Sequence, residues 1–146
     1  MPGGGVVLVD TGPLVALFDP SDSERSRCEA ELVRLKRKRL VTSLAVITEA
    51  TQLLDFSTAA QSALLAAIAA GMVEVLTFER PDLARGAELM RKYHDLPMDF
   101  ADATLVLLAE RLDTTDIFTL DRHDFGVYRV GRRRFQLRPS SRASKR

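Results

Sequence analysis

The chain has 146 residues, 46% of them hydrophobic and 28% charged, a balance that suits one globular domain with a continuous core. It excludes a wholly disordered chain and a fibrous repeat, and leaves little room for a second domain. One cysteine, Cys28, and two histidines allow neither an internal disulfide nor a zinc site, so the thiol is expected to sit reduced in a cytoplasmic protein.

The opening MPGGGVVLVD has no basic segment and only four apolar residues before Asp10, so it does not read as a signal peptide. The longest uncharged stretch, 57–73, carries Ser, Thr and Gln and falls short of the roughly 20 apolar residues of a membrane span. A core helix is expected there, and a soluble protein with no membrane contact. Arg132, Arg133, Arg134, Arg138, Arg142, Lys145 and Arg146 place seven cations and no acid in the last fifteen residues. Without those seven, 14 basic residues face 20 acidic ones. An acidic body with a basic end suits a protein that gathers metal ions in one place and touches phosphates in another, or one with a merely solubilising tail.

In chain order, 6–9 is a β-branched run without alternation, the pattern of a strand buried on both faces of a parallel sheet. Asp10 ends it, and a brief helix follows, with Pro13 in its first turn. A helix is expected over 23–39, its end crowded by Arg34, Lys36, Arg37, Lys38 and Arg39, where cations complement the helix dipole. Residues 40–42 read as a second strand, with Ser43 capping a helix to 54. The next helix, 58–70, stops at Gly71, which tolerates positive φ. A third strand over 73–76, an amphipathic helix over 81–93, a helix over 99–112 and a fourth strand over 117–120 complete the series. Short strands alternating with longer helices predict an α/β fold, a short central parallel β-sheet flanked by helices with right-handed crossovers. The domain is expected to fill 1–138, and 139–146 to be a disordered basic tail.

Four acids stand where core residues would be expected: Asp10 after VVLV, Glu49 in AVITEATQLL, Asp102 in MDFADATLVLL and Asp121 after IFTL. Burying one unpaired carboxylate costs several kcal/mol, and four together raise one another's pKa. A divalent ion relieves this, because Mg²⁺ takes oxygen ligands and leaves room for a phosphate. Asp10 and Asp121 follow strands, where parallel sheets place their functional crevice, and Glu49 and Asp102 sit on helices able to point there. Simpler readings exist. Asp99 with Asp102, and Asp121 with Asp124, have the spacing of helix caps; Asp10 could cap the brief helix; Glu49 could face solvent on a rotated helix.

The segments VDTGPLVALF, SLAVITEA, MDFADATLVLLAERL and TLDRHDF, in this order, resemble the four acidic motifs of the PIN-domain ribonucleases, and most nearly those of VapC-type toxins from bacterial toxin–antitoxin modules. The resemblance runs from Val7 to Phe125. It implies a single PIN-like domain whose catalytic and metal-holding residues are Asp10, Glu49, Asp102 and Asp121. Thr11, Thr119, Asp99 and Asp124 are accessory positions. It further implies a Mg²⁺- or Mn²⁺-dependent endoribonuclease leaving 5′-phosphate and 3′-hydroxyl ends, a homodimer, and inhibition by a small VapB-like antitoxin. The general base stays open between Asp121 and Glu49. A housekeeping PIN nuclease and a catalytically silent nucleic-acid-binding module share the same residues.

RNA contact is expected from Arg122, Arg132, Arg133, Arg134 and the tail, with steep salt dependence. His94 and His123, in KYHDLP and DRHDF, read as surface residues rather than as the acid–base pair of a metal-free ribonuclease. A phosphotransferase of the haloacid dehalogenase type would need an aspartate where Gly12 stands.

Overall fold

In the computed structural model, which describes residues 5–140, five strands form one sheet in the order β3-β2-β1-β4-β7, and every pairing in it is parallel. The strands are β1 (Val6–Val9), β2 (Arg39–Ser43), β3 (Glu74–Leu76), β4 (Asp116–Phe118) and β7 (Gln136–Arg138). Helices α1 (Thr11–Phe18) and α2 (Arg25–Arg34) join β1 to β2, α3 (Leu44–Leu53) and α4 (Thr58–Ala69) join β2 to β3, and α5 (Arg80–Lys92) and α6 (Phe100–Leu112) join β3 to β4. The single turn α7 (Asp124–Val127) and the antiparallel pair β5 (Arg129–Val130) and β6 (Arg133–Arg134) lead into β7. This is the α/β, parallel-sheet architecture expected.

Val7, Leu8 and Val9 are buried on both faces, which is why β1 lacks alternation. Helix α6 is the central helix: Ala103, Thr104, Leu105, Val106, Leu107, Leu108 and Ala109 are all buried, and it packs on β1, β2 and β5. An amphipathic helix needs one apolar stripe; a helix apolar all round is enclosed. Gly71, with φ at 103°, ends α4 as its position required. Among the described residues no helix is long and apolar enough to cross a membrane.

Several boundaries differ from expectation. The fourth strand, expected over 117–120, is Asp116–Phe118, so two residues separate it from Asp121. Helix α2 stops at Arg34, and Arg39 opens β2. The cations after Arg34 therefore do not cap a helix, and Arg39 instead grips Glu74 of the neighbouring strand at 2.8 and 3.0 Å. The segment before the tail is the edge strand β7, held by β4 alone. The packed body also continues past 138. Pro139 is buried, and its carbonyl accepts a hydrogen bond from Arg122 at 2.9 Å. The rest of the expected tail, 141–146, lies outside the described residues.

Candidate active site

The strand order reverses between β1 and β4, because β1 continues to β2 on one side while β4 returns on the other. In parallel sheets this switch point opens a crevice at the carboxyl ends of the strands. Asp10 stands in it, its backbone N–H donating to Phe118 O at 2.9 Å. Asp10 Oδ1 accepts the N–H of Thr11 at 2.7 Å, and Oδ2 accepts the Thr119 hydroxyl at 2.7 Å. The Thr119 hydroxyl in turn accepts the N–H of Asp121 at 2.9 Å. One hydroxyl thus joins the acid after β1 to the acid after β4. On the other side, the Thr11 hydroxyl donates to Glu49 Oε1 at 2.7 Å, bringing α3 into the cluster.

Helix α6 supplies the fourth acid. Asp99 caps it, accepting the N–H of Asp102 at 2.8 Å, which sets Asp102 on the first turn with its carboxylate available to the crevice. Asp102 Oδ2 accepts the Tyr128 hydroxyl at 2.9 Å. Asp121 Oδ1 accepts the N–H of Asp124, and Asp124 lies 2.9 Å from His123 Nδ1. Capping and site-building therefore coexist: Asp10 and Asp99 both cap helices, and Asp121 holds the start of α7.

Burial, countered by the Thr119 and Thr11 hydrogen bonds, raises the Asp10 carboxyl to about 6, with Glu49 and Asp121 adding repulsion. Asp102 rises to about 8, first by burial, then by repulsion from Asp99 and Asp10. Asp121 is also raised, again first by burial. The carboxylates therefore share one field. Among the described residues, none of the ion pairs involves Asp10, Glu49, Asp102 or Asp121. The same residues contain no group of three or more acidic, His or Cys side chains drawn tightly enough to grip an ion. By donor chemistry the set fits a hard divalent cation: oxygen ligands, surplus negative charge and hydroxyl or N–H support behind Asp10, Glu49 and Asp121.

The expected cationic residues are placed differently. Arg122 adjoins Asp121 but spends one guanidinium nitrogen on Pro139 O. Arg133 pairs with Asp113 at 2.6 Å. Asp113 caps the far end of α6, eleven residues or about 16 Å along the helix from Asp102. The exposed Arg132, Arg133 and Arg134 belong to the short antiparallel β5–β6 hairpin, in which Arg133 reaches the far end of α6 while the register returns Arg134 beside Arg129. His94 and His123 are exposed, each beside its neighbouring aspartate, and neither bonds any of the four acids. Cys28 is fully buried and burial pushes its thiol up to about 11, an inert core position.

The PIN domain family model matches residues 7–131. The chain belongs to the PIN-domain family. This PIN domain is 31% identical over 140 residues to Ribonuclease VapC26 of Mycobacterium tuberculosis, covering 91% of the present chain and all of that protein. Its fold resembles the crystal structure of the VapC20 toxin of Mycobacterium tuberculosis, which cleaves the sarcin–ricin loop. The TM-score is 0.68 at 21% identity, over 80% of this chain and 91% of that one.

Two features of the PIN domain escape its sequence pattern. One is Tyr128, whose distance of 26 positions from Asp102 falls in no motif. The other is a groove of about 970 Å³ beside Glu49 and Asp99, walled by Leu44, Leu53, Phe78, Leu83 and Phe100. Exposed Leu44 and Leu53 at the two ends of α3, with Leu83 on α5 and Phe100 opening α6, signal the groove only once those helices are known to adjoin.

Proposed function

We propose that this PIN domain is a Mg²⁺- or Mn²⁺-dependent endoribonuclease, the toxin of a VapBC-type toxin–antitoxin pair. The observation that carries the reading is the convergence of Asp10, Glu49, Asp102 and Asp121 from separate segments at one sheet end without a cationic partner. The names and likeness of the VapC relatives support the toxin assignment.

Asp10, Glu49, Asp102 and Asp121 are the residues that would hold the divalent ion. The chemistry such an ion supplies is polarisation of the phosphate and a lowered pKa for water. Thr119 and Thr11 orient Asp10 and favour its ionised form against burial, and Thr11 fixes Glu49 by one oxygen. Glu49 Oε1 is bonded while Oε2 accepts nothing from the described residues, and Asp121 holds the Asp124 N–H through Oδ1 with its carboxyl also against that of Asp124. Either carboxylate suits a general base that takes the proton of the attacking water. Water adds to phosphorus, the bond to O3′ breaks, and O3′ leaves with a proton, giving 5′-phosphate and 3′-hydroxyl ends.

RNA reaches the site past Arg122. Contact with Arg133, which reaches Asp113, requires a strand that continues along α6. The antitoxin is a small protein whose basic side chains neutralise the acids, since a guanidinium meets the same electrostatic need as a metal ion. For the homodimer, the groove of Leu44, Leu53, Leu83 and Phe100 is the surface assigned, because a contiguous exposed apolar face marks an interaction site.

The test is cleavage of structured RNA by the purified protein with Mn²⁺ or Mg²⁺ and with EDTA. Asp10→Asn and Asp102→Asn each lower the rate about 100-fold or more, at least the upper range found for residues that merely support a metal ligand, while circular dichroism stays native. Undiminished cutting by either variant, or by the EDTA-treated enzyme, refutes the assignment. Growth arrest on induction, relieved by a co-expressed small partner, tests the toxin role.

A further inference from the structure

Tyr128 closes α7, four residues after Asp124 and seven after Asp121. It is fully buried. Its ring is held edge-on between Tyr93 and Phe125, with centroids 5.0 Å from each. The turn beneath it is fixed too: the Tyr128 N–H donates to Asp124 O at 3.0 Å, and Arg129 donates to the carbonyls of Gly126, Val127 and Tyr128. A phenol enclosed in this way cannot swing to another partner. Core packing alone needs only the ring, and a buried hydroxyl costs free energy unless it finds an acceptor. The acceptor it finds is Asp102 Oδ2, at 2.9 Å.

Asp102 has no other side-chain support among the described residues. Asp10 has two donors, Glu49 has Thr11 and Asp121 has the Asp124 N–H, but the carboxylate of Asp102 meets only the phenol. Located on the first turn of α6, it would otherwise rotate freely. We propose that Tyr128 is a positioning residue for the divalent-metal chemistry: it pins Oδ2 of Asp102, turns the other oxygen toward the crevice and locks α6 to the segment that carries Asp121. This rests on the nuclease reading above. It assigns to the residues after the last acid a part in the site that the four acids do not reveal.

Tyr128→Phe keeps the ring and its packing and removes only the donor. Mn²⁺ binding to the full chain, measured by isothermal titration calorimetry, is expected to weaken about 10- to 100-fold, the range for loss of a group that orients a metal ligand. The kcat for RNA falls over a similar range while KM changes less than twofold. Tyr93→Phe removes the neighbouring phenol, which among the described residues accepts the Arg129 N–H alone, and is expected to bind Mn²⁺ like wild type. In an Asp102→Asn background, Tyr128→Phe adds no further loss of Mn²⁺ affinity. Wild-type Mn²⁺ affinity and kcat in Tyr128→Phe overturn the inference and leave the nuclease reading intact, and so does an additive loss in the double variant. Failure of the wild-type protein to bind Mn²⁺ overturns both.

Discussion

The two ends of the sheet hold their acids in opposite ways. At the amino ends of the strands each acid meets an arginine: Glu74 with Arg39, Asp113 with Arg133, and Asp116 with Arg138. At the carboxyl ends, among the described residues, Asp10, Glu49, Asp102 and Asp121 form no ion pair and meet hydroxyls, backbone N–H groups, a phenol and, at Asp121, a second carboxyl. The first arrangement is what a surface adopts when nothing but stability is at stake. The second costs stability, because neutral donors soften carboxylate repulsion without cancelling charge, and it persists where a ligand brings the missing cation.

Exchanging one acid for its amide at each pole should separate them most. Asp10→Asn removes RNA cleavage and, without metal at pH 8, unfolds at no lower temperature than wild type. Asp116→Asn leaves cleavage intact and lowers the unfolding temperature slightly, since it strands Arg138. If thermal scans and cleavage assays place both variants alike, the poles are not distinct.

The next effect is on pH. The carboxyl of Asp10 lies at about 6 and that of Asp102 at about 8, against 3.8 for both when unperturbed. The folded metal-free protein therefore holds protons that the unfolded chain releases. Stability from these groups is present below about pH 4 and is lost as pH rises through about 6 and about 8. The unfolding temperature of EDTA-treated protein should fall across that window, and Mg²⁺ should restore more at pH 8 than at pH 5. Equal metal stabilisation at both values would place the acids outside one another's field.

A smaller loss follows from Thr119→Val, which deletes the hydroxyl shared by Asp10 and Asp121. Hydrogen bonds to charged groups contribute about 1.5–3 kcal/mol, so kcat should drop about 10- to 150-fold at most, with the fold kept. The smallest change is at the opposite pole. Arg39→Gln breaks an exposed pair of a kind worth about 0–1 kcal/mol, and denaturant titration should detect at most that, with cleavage unaltered.

Much of this was readable from the chain. The unalternating 6–9 run announced a doubly buried strand, and four acids inside apolar segments announced a charge that folding had to gather. Helix ends and edge strands were less legible. Helix α2 was expected to reach 39, because cations at a helix end and cations opening a strand look alike in sequence. β7 is three residues long and paired on one side only, so its register comes from β4 and not from a pattern of its own. The arginines of 132–134 looked like a phosphate-binding run, yet a hairpin directs Arg133 to Asp113.

Sequence alone determined that Asp10 carries charge into the core and which segments form the central strands and helices, because apolar periodicity and the cost of burial are local properties. The burial of Glu31 and the half-burial of Glu49, Asp102 and Asp121 were decided by the fold. Tertiary structure alone decided that Thr119 serves two acids, that Tyr128 reaches Asp102 and that Arg133 lies at the far pole. A hydrogen bond acts over about 3 Å, and only the folded chain brings residues 26 or 109 positions apart within that distance.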